Sequence, residues 1–271
     1  MKKKIKGISY ILPPLIIVVI SFNIPLFLML IRSLFSPDFT FEQYVYLVDH
    51  PIYLQILANT FKTAIIVSLL CCLLAYPLAH WITLLAGQVK LFVLGIIAMS
   101  FLVSILIRTY AWIVILGNNG IVNRTLLEMG LIGSPLQLIY NDLGVTLGTI
   151  NVLLPFAIFP LYAAMLKIDK RLIKAAYSLG SKPITVFTKI YLPLTLPTLL
   201  SSAILVFIMT LGFFITPAIL GGGKVQMVAT ILDTLINRLA NWNLASAIST
   251  ILLMVTIALY IVYRKVGETV K

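Results

Sequence analysis

Charge is scarce in this chain of 271 residues. Only 10% of them are Asp, Glu, Lys or Arg, against roughly a quarter in a soluble globular protein. Acidic residues are the scarcest, eight against twenty basic ones. The chain is 61% hydrophobic, in blocks too long to be the inner faces of water-exposed helices. A soluble domain is excluded, and the class is a polytopic membrane protein. The two histidines, His50 and His80, are far apart in sequence and have no ligand-like spacing, so no metal site is expected. The two cysteines, Cys71 and Cys72, are adjacent. Neighbours on a helix diverge by about 100° and seldom bridge, so these read as small apolar side chains. No glycine-rich loop ends in Lys-Ser or Lys-Thr, which excludes an ATP-binding subunit. No Ser/His/Asp or similar constellation is present, and no catalytic residue is expected. Internal repeats and low-complexity tracts are also missing, so residues 1–271 read as one membrane domain.

What is present is a set of long apolar runs. A helix needs roughly 20 apolar residues to cross a bilayer, and six stretches qualify, at about 10–31, 61–85, 91–114, 143–166, 196–220 and 244–263. None alternates like a barrel strand, and helices are the other way to satisfy every backbone group in lipid. The expected fold is an all-α, six-helix transmembrane bundle. The lysine-rich start, Lys2 to Lys6, resembles a signal peptide. The run after it is too long and lacks a cleavage site, so it is read as an uncleaved first span.

Orientation follows from the basic residues. With the N-terminus inside, one side of the membrane holds the N-terminus, Lys90, the tail, and a loop with Lys167, Lys170, Arg171, Lys174, Lys182 and Lys189. That side carries fourteen of the twenty basic residues and only Asp169 and Glu268 among the acids. This asymmetry places both termini and the 167–195 loop on the cytoplasmic side of the membrane. It also sets aside nucleic acid as the meaning of the net charge of +12. On the outer side, Gly221, Gly222 and Gly223 suit tight turns, and Tyr140 and Trp242 suit the interfacial belt.

The 167–195 loop is unlike the rest. Leu172, Ile173, Ala176 and Leu179 recur at helical spacing, with Lys170, Arg171 and Lys174 towards the other side. Gly180 reads as a C-cap. Ser181 and Pro183 read as the start of a second short helix over 183–191, which Pro193 and Pro197 end or kink. A pair of basic amphipathic helices can lie on anionic lipid. The spacing also matches a longer pattern. Ala175, Ala176, Gly180, Ile190, Leu192 and Pro193 stand in the register Glu-Ala-Ala, then Gly, then Ile-x-Leu-Pro. On these residues the chain resembles the permease subunits of ATP-binding-cassette importers of type I. The stretches "LIRTYAWIVILGNNGIVNRTLLEMGLIGSP", "LLPFAIFPLY", "GFFITPAILGGG" and "NWNLASAIS" resemble the spermidine/putrescine permease family of the PotB type.

The resemblance implies that the loop is a coupling-helix pair between spans 4 and 5 that docks on an ATPase. It implies two ATPase subunits, a second permease, an extracytoplasmic solute-binding protein and surrounding membrane lipid as partners. It implies no cofactor bound by this chain, with ATP and Mg used by the ATPase. Lys174 departs from the pattern, standing where the family has Glu. Either the ATPase carries a complementary residue or the position is peripheral to docking.

Candidate translocation-path residues are Arg108, Asn151, Phe213, Phe214 and Thr216. Arg108 lies inside an apolar run, where it either snorkels to the interface or pairs with Glu128, Asp142 or a partner chain. Asn151 and Thr216 either line the path or join helices. Phe213, Phe214, Tyr110 and Trp112 offer aromatic faces for an amine or simply pack. Pro77, Pro155, Pro160, Gly148, Gly212 and Pro217 are candidate bends and close contacts. Polyamine uptake is the expected function. Import of an opine, an aminoethylphosphonate or ferric ion by the same class is the first alternative. A membrane enzyme is the second, and it would need a polar catalytic cluster that is not visible.

Overall fold

The computed structural model describes residues 2–35 and 38–268, with side chains described for 12–35, 38–262 and 264. In chain order the helices are α1 (Lys2–Leu34), α2 (Glu42–Asp49), α3 (Pro51–Leu84), α4 (Gly87–Leu102), α5 (Ile105–Leu116), α6 (Ile121–Glu128), α7 (Asp142–Leu166), α8 (Lys170–Ser178), α9 (Pro183–Val186), α10 (Leu192–Leu211), α11 (Ile215–Leu220), α12 (Val228–Asp233) and α13 (Trp242–Glu268). Phe187–Tyr191 and Thr234–Arg238 are π-helical turns. Among the described residues no strand forms beyond one bridge between Phe35 and Phe39. Six helical segments are long and apolar enough to cross a membrane: Leu12–Leu34, Pro51–Leu84, Ile105–Glu128, Asp142–Leu166, Pro183–Leu211 and Trp242–Val262.

Three of the expected spans differ from the observed ones. The run 91–114 is two helices, because Val103 is extended between α4 and α5. Nothing in the apolar pattern marks this break, since the flanking residues are neither Gly nor Pro. The run 196–220 is also divided. α10 ends at Leu211, Gly212 to Phe214 form a joint, and α11 follows. Finally, α3 begins at Pro51 rather than at residue 61. Proline is at home in a first helical turn, where its missing N–H would go unpaired anyway, and Ile56, Leu57 and Thr60 are buried on the added turns.

The chain divides into two compact units, one comprising residues up to Leu54 together with Ile231–Val255, the other Gln55–Thr230 with Thr256 onward. In the first unit, Tyr44 Oη donates to Ser33 Oγ at 3.0 Å, and Ser33 Oγ donates to Leu30 O at 2.7 Å. The Arg32 guanidinium lies over the Trp242 ring at 5.6 Å. Trp242 thus stacks a cation as well as suiting an interfacial belt.

The second unit is built on α7. Val67, Cys71, Ala75 and Ala79 of α3 meet Ile150, Leu153, Ala157 and Leu161 of α7, with Val206 of α10 closing the cluster. Small residues on α3 let the backbones approach, as membrane helices require when lipid offers no hydrophobic driving force. The cysteines are free thiols, Cys71 Sγ lying 3.9 Å from Ile150 O and Cys72 Sγ 3.9 Å from Leu199 O. α11 crosses α7 at Gly148. A Cβ there would stand 2.5 Å from Leu220 Cδ1 and 2.7 Å from Thr216 Cγ2. At the turn before α7, Tyr140 adopts positive φ, its N–H donates to Leu220 O at 2.8 Å, and its ring covers Gly222. Tyr140 thus closes this turn while 39% of its surface stays exposed. On α6 Asn123 is fully buried. Its Nδ2 donates to Gly117 O and Leu136 O, and its Oδ1 accepts from Leu136 N.

The α7–α11 crossing yields a test. Gly148→Val should lower the Tm of the solubilised protein, because overpacking a tight contact costs about 1–3 kcal/mol. Gly95→Ala, on α4 where a Cβ meets nothing within 4 Å, should leave Tm within error. Equal Tm for both variants would remove this contact from the fold's essentials.

Candidate functional site

The loop after α7 is organised around α8. The Asp169 carboxylate caps its first turn, accepting from Arg171 N at 2.8 Å. Ala176 is buried, Ile173 is half-buried, and Lys170, Arg171, Lys174 and Ala175 are exposed. The helix closes in a Schellman turn, with Ser181 N donating to Ala176 O at 3.1 Å and Gly180 N to Tyr177 O at 3.0 Å. Gly180 has φ +77°, and a Cβ there would meet nothing within 4 Å. Glycine is favoured at this position by backbone conformation rather than by space.

The second half of the loop differs from expectation. Lys182, not Ser181, stands at the N-cap of α9, without a side-chain cap, and Pro183 sits in the first turn. Pro193 and Pro197 do not end the helix. α9, the π turn and α10 run on without interruption from Pro183 to Leu211. Pro193 and Pro197 have no N–H to give to a carbonyl of the preceding turn. The backbone widens just before them, and Leu192 N donates to Phe187 O, five residues back. Ile190 and Leu192 are half-buried and Pro193 is exposed. The motif therefore separates into residues that anchor the loop (Ala176, Ile190, Leu192) and residues left at its surface (Lys174, Ala175, Gly180, Pro193).

The path candidates are not brought together as a set. Arg108 Nη2 donates to Ser100 O and, at 3.0 Å, to Val103 O. It caps the carbonyl end of α4, where a cation is favoured by the helix dipole. The carboxylate pairing expected with Asp142 is not found, since Asp142 faces Lys62 at 3.7 Å. Thr216 is fully buried with its Oγ1 3.4 Å from Thr109 Oγ1, so it joins α11 to α5. Asn151 is exposed midway along α7, although Gly148, Pro155 and Ile158 on the same side are buried. Phe213 packs against the α3–α7 cluster, while Phe214 is 39% exposed. Trp112 packs on Val145 and Leu220, and Tyr110 is exposed.

Sequence reasoning overlooked two residues beneath the motif. Tyr191 is buried, and His80 stands edge-on to it with ring centroids 4.7 Å apart. The pair of prolines after Tyr191 was the available signal, because it forces the backbone to adjust there.

The chain is 33% identical over 231 residues to the spermidine/putrescine transport system permease protein PotB of Haemophilus influenzae, covering 84% of this chain and 80% of the relative. It is 30% identical to PotB of Escherichia coli, covering 85% and 83%. The chain belongs to the PotB family of ATP-binding-cassette importer permeases. The inner membrane ABC transporter permease YdcU of Escherichia coli is 27% identical over 80% of this chain and 72% of the relative. Members of this family are transport subunits rather than enzymes. No protein-family model matches the chain. The fold is that of solved importers. A bacterial transporter that imports the acidic polysaccharide alginate aligns over 100% of this chain and 97% of its own, with a TM-score of 0.77 at 19% identity. The same importer bound to its periplasmic protein gives 0.79 at 18%, covering 99% and 96%.

Within this PotB-family fold Arg108 is a cap. Arg108→Leu should lower Tm by several degrees, since it strips the end of α4 of a charged donor. The KM for cargo in reconstituted vesicles should stay within about twofold. Unchanged Tm with altered cargo preference would return Arg108 to the path.

Proposed function

We propose that this chain is one permease subunit of a bacterial inner-membrane importer for polyamines, and that its 167–195 loop is the surface docking on the ATPase. The observation that carries this reading is the match of the PotB-type stretches, continued at 30% identity or more along most of the chain to two proteins named for spermidine and putrescine. The coupling motif's exposed residues, set on a rigid Schellman turn, support the loop's role. The partners are two ATPase subunits that bind ATP and Mg, a second permease and an extracytoplasmic binding protein. Both termini and the loop face the cytoplasm, in line with the concentration of basic residues there.

The described spans hold carboxylates only at their ends, Glu128 and Asp142, and none in their interiors. Asn151, Phe213 and Phe214 remain the path's candidates here, because an amide oxygen and ring faces suit an alkylammonium. Arg108 and Thr216 are occupied in joining helices.

Vesicles holding the complete importer test the reading. They should accumulate radiolabelled spermidine or putrescine when given ATP and binding protein. An opine or aminoethylphosphonate accumulated in place of both polyamines would overturn the cargo. In the same vesicles Gly180→Val should cut uptake at least about tenfold while the chain stays in the membrane, because a β-branched residue at positive φ is strained. Lys174→Glu should retain its ATPase on purification and transport near normally, the loss of an exposed charge costing at most about 1 kcal/mol. Wild-type uptake by Gly180→Val would remove the loop from coupling.

Orientation has its own measurement. In a background lacking Cys71 and Cys72, a cysteine at Asn119 should react with an impermeant thiol reagent in intact cells, and one at Lys182 should not. The opposite pattern would invert the map.

A further inference from the structure

Within the first compact unit, the first and last spans border one cleft. Pro25, Leu28, Met29 and Arg32 recur at helical spacing on α1, as Trp242, Ala245, Ser246 and Ser249 do on α13. Both sets line a cavity of about 330 Å³. Seven residues along each helix make it roughly 10 Å long. Arg32 and Trp242 close one end, with the guanidinium 5.6 Å from the ring centroid. From them the walls run inward along the spans Leu12–Leu34 and Trp242–Val262.

A second cavity, of about 620 Å³, shares Arg32 and Trp242 as walls and is completed by the turn 239–243. Asn241 and Asn243 bring amides to it. The turn is held in shape, because Ala240 takes positive φ, Asn241 N donates to Leu235 O at 2.8 Å and Asn241 Oδ1 accepts from Leu244 N at 3.1 Å. The two cavities thus form one amphipathic cleft, mostly apolar along the spans and polar where they end. Arg32 is the one charged residue lining either part. Among the described residues it forms no ion pair.

We propose that this cleft binds one phospholipid with an anionic headgroup of the phosphatidylglycerol type. Its phosphate sits on Arg32, its glycerol headgroup lies against Asn241 and Asn243, and part of one acyl chain lies between α1 and α13. The end of a span is the depth at which lipid phosphates lie, and Arg and Trp are at home there. Stacking on Trp242 engages the face of the guanidinium and leaves its N–H edge to a phosphate. No carboxylate lines the cleft, so the ammonium of an ethanolamine headgroup finds no partner in it, and basic pockets between spans favour anionic lipid. Free phosphate would leave the apolar half unfilled. A helix of another subunit, 10–12 Å across with its side chains, is too wide for that half. A lipid held in this way joins the first span to the last.

The probe is phosphatidylglycerol with a photoreactive diazirine on one acyl chain, titrated into phosphatidylcholine nanodiscs that hold the full chain with its partner subunits. Adducts are mapped by mass spectrometry. Label at Met29 and Ser249 should saturate with probe. Label at Phe27, 65% exposed at the same depth, should rise linearly, as contact with bulk lipid does. Unlabelled phosphatidylglycerol should compete at Met29 at a mole fraction at least about fivefold lower than phosphatidylethanolamine, in keeping with a charge-assisted bond. Glycerol 3-phosphate in the buffer should not compete. Arg32→Gln should cut label at Met29 at least about fivefold and leave Phe27 unchanged, and Ser249→Leu, which fills the apolar half, should do the same. Linear label at Met29, equal competition by the ethanolamine lipid, or a cleft left unlabelled because a partner subunit covers it would each overturn the proposal. The headgroup comparison uses the unaltered chain and stands even if a variant folds poorly. None of these readings involves cargo, ATP or the side of the membrane, so they are independent of the function proposed above.

Discussion

A lipid core offers no hydrogen bond to a peptide group, so every interruption of a spanning helix must be repaired from within the protein. The irregular points of this fold show such repairs. Where α4 gives way to α5, the Arg108 guanidinium takes carbonyls of Ser100 and Val103. Before Pro193 and Pro197, the backbone widens into a π turn. At the joint after α10, Phe213 N returns to Thr210 O at 3.1 Å. Buried hydroxyls obey the same rule, since Thr60, Thr149, Thr195 and Thr210 each donate to a carbonyl four residues back. Thr60 also accepts from Val228 N at 2.9 Å, tying α12 to α3.

How much of this was legible depends on what the signal consists of. The number of long apolar segments, and the absence of strands among the described residues, follow from run length, which is read directly. The Gly180 turn follows from local chemistry, because an amphipathic helix ending in glycine leaves few alternatives. The break at Val103 was illegible. Arg108, five residues later, caps it, and a charge inside an apolar run does not announce whether it faces cargo, headgroups or a helix end. The prolines left two outcomes open, an end or a bend, and only the end is ruled out. Pro193 and Pro197 are breakers by local rule, but a widened turn absorbs the missing donors and the helix continues. Thr216 and Asn151 are similar small polar residues by composition. Only packing separates them, with Thr216 locked between α5 and α11 and Asn151 left open on α7.

The fold leaves the cargo undetermined. The alginate importer carries an acidic polysaccharide on the same fold, whereas the PotB proteins are named for cationic spermidine and putrescine. A scaffold shared by opposite charges must leave selection to side chains on its inner faces and to its binding protein. In this chain the described spans hold carboxylates only at their ends, Glu128 and Asp142, and Arg108 is spent on a helix end. Under the proposed function, the interior of these spans offers a polyamine no opposite charge, and discrimination falls to the companion subunits.

The continuity of α9, the π turn and α10 bears on how such a subunit could work. Pro183–Leu211 spans 29 residues, roughly 43 Å at 1.5 Å per residue. Two separate short helices joined to a span by a proline hinge would absorb a displacement at the loop. A continuous helix passes it on. Its far end is the joint at Gly212, where Phe213 and Phe214 follow, and α11 beyond it is pinned to α7 at Gly148 and to α5 through Thr216. Motion delivered from the loop therefore has one place to be taken up, the three-residue joint that holds both phenylalanines. Under the coupling role proposed above, those rings move because they sit where the lever ends. The tight crossing at Gly148 matters because it keeps the next segment from moving with them.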